Sequence, residues 1–163
     1  MSPDDLQRLA MADLLRLEAS LRHEVARRGI SRTATALGGE LAEHLAQRVY
    51  GGDLSAPATA AFDLIDAQGR RVQVKSRTLP PGEQRHFAFK SLDFDLAVCL
   101  RFDRKTNGLE WAREFRPSEI RSLASDHADG LRLSTRRASE HGQDLTDAFR
   151  TALDGMGVGD AWT

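Results

Sequence analysis

The sequence has one cysteine, few aromatic residues and almost no net charge, and each shortage closes off a class of protein. A single Cys99 in 163 residues excludes a disulfide framework and a cysteine-ligated zinc site. Its place in the apolar run DLAVCL makes it a small core residue. Aromatic residues make up 6% of the chain, and Trp111 and Phe115 read as core residues rather than as platforms for stacked bases. No apolar run approaches the roughly 18 residues that a membrane span needs. The opening MSPDDLQRLAMADLL carries acids where a secretory leader has a basic segment and an apolar core, so a cytoplasmic chain with no membrane partner is expected. His127 and His141 stand apart from other ligand types, which leaves no zinc spacing, and neither Ser76 nor Ser118 has a histidine at a diagnostic distance.

A formal charge of -1 argues against a generic polycation, but the average hides an uneven distribution. Between residues 70 and 90 stand Arg70, Arg71, Lys75, Arg77, Arg85 and Lys90 against the single acid Glu83. Between residues 138 and 163 stand Glu140, Asp144, Asp147, Asp154 and Asp160 against Arg150. The split suits a phosphate-facing surface on one part of the molecule and an acidic tail elsewhere.

With 40% apolar and 29% charged residues and a mean hydropathy of -0.44, the chain is globular in composition and long enough for one domain. That domain is expected over residues 1–154, with a helical element over 3–28, a core over about 30–135 and a flexible tail over 155–163. Ser2-Pro3-Asp4-Asp5 supplies a cap, a proline and carboxylates for a helix start. Leu6, Ala10, Leu14, Leu17, Leu21 and Val25 then continue an apolar stripe to Gly29, which predicts one long helix. A second helix over about 34–50 stops at Gly51-Gly52, with Glu40, His44 and Arg48 on a stripe beside its apolar face.

From residue 61 the apolar period changes to two, which predicts strands over 61–66 and 70–77. TLPPGEQRH then reads as a turn-rich flap, with Phe87 and Phe89 alternating behind it. LAVCLRF, 96–102, is continuous enough for a strand buried on both faces, and LEWAREF, 109–115, completes a second hairpin. RPSEI opens a helix, GLRLS reads as a short strand, and Leu145, Phe149, Ala152 and Leu153 mark a last helix.

The first hairpin carries the chemistry. A three-residue loop Ala67-Gln68-Gly69, with glycine at the positive-φ position, sets Leu64 opposite Val72 and Phe62 opposite Val74 on an apolar face. The other face then holds Asp63 opposite Gln73, Ile65 opposite Arg71 and Ala61 opposite Lys75. A carboxylate, an amide oxygen and an ammonium converge there, with Glu40 on the preceding helix. These are ligands for a hard cation beside a charge that orients a nucleophile. A solvated polar face is the alternative reading of the same alternation.

Asp63, nine intervening residues and then Gln73-Val74-Lys75, after a helix containing GGELAE, resembles the active-site signature of the PD-(D/E)XK nuclease superfamily. The helix-borne glutamate and the VKS ending are similar to archaeal Holliday-junction resolvases and to small bacterial members of that superfamily. The likeness covers about residues 30–120. It implies an α/β, restriction-endonuclease-like fold: a central mixed β-sheet whose hairpin carries the site, flanked by helices and here preceded by the long N-terminal helix. It implies a metal-dependent DNA endonuclease working with Mg²⁺ or Mn²⁺, in DNA repair, recombination or phage defence.

Carried over residue by residue, Asp63 is the main metal ligand, Glu40 an auxiliary acid and the Val74 carbonyl a further ligand. Lys75 positions or helps to deprotonate the attacking water and stabilises charge on the phosphate. The departure is Gln73, where the superfamily usually has an acid: it offers an amide oxygen to the metal but no charge. Arg77, Arg85, His86 and Lys90 are candidates for DNA phosphates, with His44 as a further candidate. The competing expectation is a nuclease-fold module that has lost turnover through Gln73 and binds DNA or a protein partner within a larger DNA-processing or defence assembly. A homodimer is a further expectation, because cutting two strands takes two sites.

Overall fold

The computed structural model describes residues 1–29, 37–56, 61–104 and 106–156. They fall in two compact units, one carrying the first two helices and the other running from the third helix onward. The expected unbroken helix over 3–28 is two helices, α1 (Pro3–Gln7) and α2 (Met11–Arg27). The cap is as the sequence predicts: Ser2 accepts from the Asp5 amide and the Asp5 carboxylate accepts from the Ser2 amide, with proline at the start. Arg8 and Leu9 then turn back tightly on Asp5 and Leu6, and Ala10 is extended at φ -64° and ψ 153°. No residue of α1 is buried, so no packing holds the two segments in one helical phase.

The second unit opens with α3 (Leu37–Tyr50), whose end at Gly51-Gly52 is the one expected; residues 34–36 lie outside the described residues. Its main sheet contains β1 (Asp53–Leu54), β2 (Leu64–Ile65), β3 (Arg71–Leu79), β5 (Leu96–Asp103), β6 (Leu109–Phe115) and β9 (Gln143–Asp144), in the order β1-β2-β3-β5-β6-β9. Only β3 and β5 pair in parallel, so the sheet is mixed. A second, antiparallel sheet has the order β4-β8-β7, from β4 (His86–Phe89), β8 (Gly130–Ser134) and β7 (Ser125–His127). The remaining helices are α4 (Pro117–Leu123), α5 (Thr135–Glu140) and α6 (Thr146–Asp154). The core therefore extends past residue 135, because Phe149 of α6 is fully buried in it.

Two apolar clusters lie against the main sheet. In the first, Ala42, Leu45 and Ala46 of α3 and Phe149 of α6 pack on Val72, Val74, Val98 and Leu100. In the second, Phe87 and Phe89 of β4, Leu133 of β8, Ile120 of α4 and Ala138 of α5 pack with Ala97, Cys99 and Phe115. Covered on both sides, β5 is buried from Leu96 to Phe102, as its continuous apolar run predicts. The architecture is mixed α/β with helices on the sheet. No helix of the described residues is long and apolar enough to cross a membrane.

The hairpin turns as expected. Asp66 donates its amide to the Arg70 carbonyl, Gly69 sits at φ +80°, and Leu64 and Ile65 pair with Val72 and Arg71. The expected register ends there. Asp63 donates its amide to Val72, the residue already paired with Leu64, and Phe62 joins the second cluster instead of packing on the Val74 face. The slip arises because the Asp63 carboxylate takes the amide of Val74, at 2.6 Å.

Two glycines near this turn separate backbone strain from collision. Gly69 has open space where a Cβ would stand, so Gly69→Ala loses only the left-handed backbone preference, about 1 kcal/mol. Gly52, at φ +84°, has the Ile65 carbonyl oxygen 2.0 Å from a Cβ position. Gly52→Ala is expected to cost roughly 3 kcal/mol, and chemical denaturation of the two variants side by side checks the difference.

Candidate active site

Asp63 stands where three strands diverge: its carbonyl accepts from Ser55, its amide donates to Val72, and its side chain turns to β3. Its Oδ2 accepts from the Val74 amide and from Gln73 Nε2, both at 2.6 Å. An ionised carboxylate only accepts, so Gln73 presents its nitrogen to Asp63 and turns Oε1 away. Burial pushes the Asp63 carboxyl above its ordinary value, partly offset by the Val74 amide, by the charge of Lys75 and by Gln73. The arrangement thus holds a carboxylate in place while leaving its negative charge incompletely compensated.

Lys75 is half-buried with its Nζ 5.8 Å from the centre of the Phe89 ring. It is paired in register with Cys99, whose thiol burial pushes far up and out of reactive range. The alternation of β3 explains the placement: Val72 and Val74 enter the first cluster, which leaves the opposite face to Gln73 and Lys75.

Beyond Lys75 the strand runs into an open cleft of about 740 Å³, lined by Gly39, Ser76, Arg77, Thr78, Leu79, Glu83, Arg85, His86 and Arg104. Arg77 Nε donates to the His86 carbonyl at 2.9 Å, and Arg104 Nη2 to the Thr78 carbonyl at 3.2 Å. Arg85 Nη2 pairs with Glu83 at 2.6 Å. Three guanidinium groups therefore line one opening, each oriented by a bond that leaves further N–H donors for a ligand. Glu40, in the first turn of α3, follows directly on the cleft residue Gly39.

Asp63, Gln73, Val74 and Lys75 thus come together as expected, and Arg77, Arg85 and His86 share the adjoining cleft. Lys90 is exposed just after β4 and does not line it. His44 is a correction: it is buried, at 7% exposure, and offers little surface to a phosphate. A helix laid on a sheet covers the positions flanking its apolar stripe as well as the stripe itself. Arg104 is a cleft residue that the hairpin-centred reading passed over; the basic turn DRKTNG was its only signal. Much of the apparent excess charge is internal, since Arg70 pairs with Asp66 and Arg71 with Asp93 and Asp95.

Among the described residues no three His, Cys, Asp or Glu side chains gather as a metal cage. The donor set fits a hard cation that keeps part of its water shell: one fixed carboxylate and an amide oxygen beside it on β3. Soft thiolate-preferring metals find no ligand here, because Cys99 is sealed in the core. Compared with protein-family models and with curated proteins, the chain matches none of them.

Proposed function

We propose that the protein is a metal-dependent DNA endonuclease with a PD-(D/E)XK-type site on a restriction-endonuclease-like sheet. The observation that carries this reading is Asp63, pinned at 2.6 Å by Gln73 and by the Val74 amide and acted on by the charge of Lys75, with β3 running on past Lys75 into an arginine-lined cleft. The hairpin β2–β3 followed by the parallel strand β5 supports the fold assignment.

In this reading Asp63, Gln73 Oε1 and the Val74 carbonyl would hold Mg²⁺ or Mn²⁺, with Glu40 as an auxiliary acid. The bound ion supplies Lewis acidity toward the phosphate and a more acidic water. Lys75 would hold the attacking water in line and donate to the phosphate oxygen on which charge develops. Arg77, Arg85 and Arg104 fix the neighbouring phosphates of the strand, which sets the scissile bond against Asp63 and Lys75.

A second reading, a DNA-binding module without turnover, draws on the uncharged Gln73 and on the absence of a three-acid cluster among the described residues. Calorimetric titration with Mn²⁺, run beside a plasmid-nicking assay, separates the two. The nuclease reading expects saturable binding and metal-dependent nicks. Gln73→Glu sharpens the test, because it sets a second carboxylate against Asp63, and two such groups ionise together only with a cation between them. Mn²⁺ affinity is expected to rise about tenfold in that variant, while the metal-free protein melts lower at neutral pH. Wild-type protein that neither binds Mn²⁺ nor nicks DNA would leave the binding module as the reading.

A further inference from the structure

The turn between β3 and β4 makes one wall of the cleft, and two residues outside the cleft, which share a small cavity behind the turn, hold it. Arg101, in the second half of β5, has only 5% of its side chain exposed. Its Nη1 donates to the Glu83 carbonyl at 2.7 Å and its Nη2 to the Pro80 carbonyl at 3.0 Å, while Nε pairs with Glu110. A guanidinium buried this deeply is tolerated only with its donors satisfied, so Arg101 and the turn fix each other.

Thr135 of α5 is buried as well and bonds the same segment three times. Its amide donates to the Arg85 carbonyl at 2.8 Å, and its Oγ1 accepts from the Arg85 amide at 3.1 Å and donates to Gln84 Oε1 at 2.7 Å. Between these anchors, the Glu83 carboxylate holds Arg85 Nη2. Neither Arg101 nor Thr135 lines the cleft.

We infer that Arg101 and Thr135 are positioning residues for a pre-set phosphate-binding wall, acting on DNA only through Arg85. The inference rests on the proposed DNA reading and adds to it that the segment TLPPGEQRH is a clamped wall rather than a mobile flap. Its benefit is entropic: an arginine whose backbone and carboxylate partner are already fixed has less freedom to lose when a phosphate docks.

The test measures affinity of the full chain for a short labelled duplex by fluorescence anisotropy. Arg85→Ala is expected to weaken binding roughly tenfold and to flatten its salt dependence. Thr135→Val keeps the side-chain shape but loses both Oγ1 bonds, and Arg101→Lys keeps the charge but loses the fork; each is expected to weaken binding about threefold to fivefold. Thr135→Ser should bind like wild type. In an Arg85→Ala background, neither Thr135→Val nor Arg101→Lys should weaken binding further. If Arg85→Ala binds like wild type, the DNA reading of this wall falls. If Arg85→Ala weakens binding while Thr135→Val does not, or Thr135→Val costs as much with Arg85 absent, the positioning role alone is overturned. Should Arg101→Lys fail to fold, the isosteric Thr135→Val decides the matter.

Discussion

Asp63→Asn is expected to cut metal-dependent nicking by on the order of a thousandfold while making the folded protein more stable at neutral pH. The first effect follows from removing the carboxylate that anchors the cation. The second follows from the environment that carboxylate occupies. Burial raises the Asp63 pKa above its ordinary 3.8, so the unfolded chain ionises at a lower pH than the folded one. Folding stability is therefore lost as pH climbs from 3.8 through the raised folded value, and the whole penalty is present at neutral pH. Asparagine can still accept from the Val74 amide without carrying a charge. The melting temperature of Asp63→Asn should exceed wild type at pH 7, with the gap closing below pH 3.8, where both states of Asp63 are protonated. Saturating Mg²⁺ should stabilise wild type and leave the variant unmoved. A variant that melts lower than wild type at pH 7 would mean that Asp63 is there to hold β2 to β3, and that no charge is held in reserve for a ligand.

How much of this was legible in the sequence depended on the range of the interaction. The loop Ala67-Gln68-Gly69, the stop at Gly51-Gly52 and the buried run of β5 are set by local backbone preference and by continuous apolarity, and all three could be read. The convergence of Asp63, Gln73 and Lys75 was also readable, but by a route that differs from the real one. Regular pairing would have set Asp63 across from Gln73; in the protein the ladder gives way at Asp63, and its carboxylate caps a β3 amide. Alternation rules count backbone bonds and do not see a side chain competing for one. The same blindness covers His44, polar in type and buried by the helix it stands on, and Arg101, which an apolar pattern registers only as an interruption. The helix over 3–28 failed for the opposite reason: its spacing was faithful, but with no packing on α1 the pattern had nothing to enforce it.

Lys75→Met separates a reacting site from a merely cationic one. Methionine keeps an unbranched stem that can lie over the Phe89 ring, so the packing loss is small, and what disappears is the ammonium. If Lys75 holds the attacking water and the developing phosphate charge, nicking should fall by about a thousandfold while duplex affinity changes by less than about threefold, because ground-state binding rests on the cleft arginines. The Asp63 carboxyl should rise further above its present position, since the Lys75 charge now pulls it down. That shift is measurable by carbon-detected NMR on the metal-free protein, independently of turnover. The two readouts locate the residue: a normal nicking rate would remove Lys75 from the chemistry. An affinity loss as large as the rate loss would make it one more phosphate contact beside Arg77 and Arg85, and only a rate loss at nearly constant affinity places its charge at the transition state.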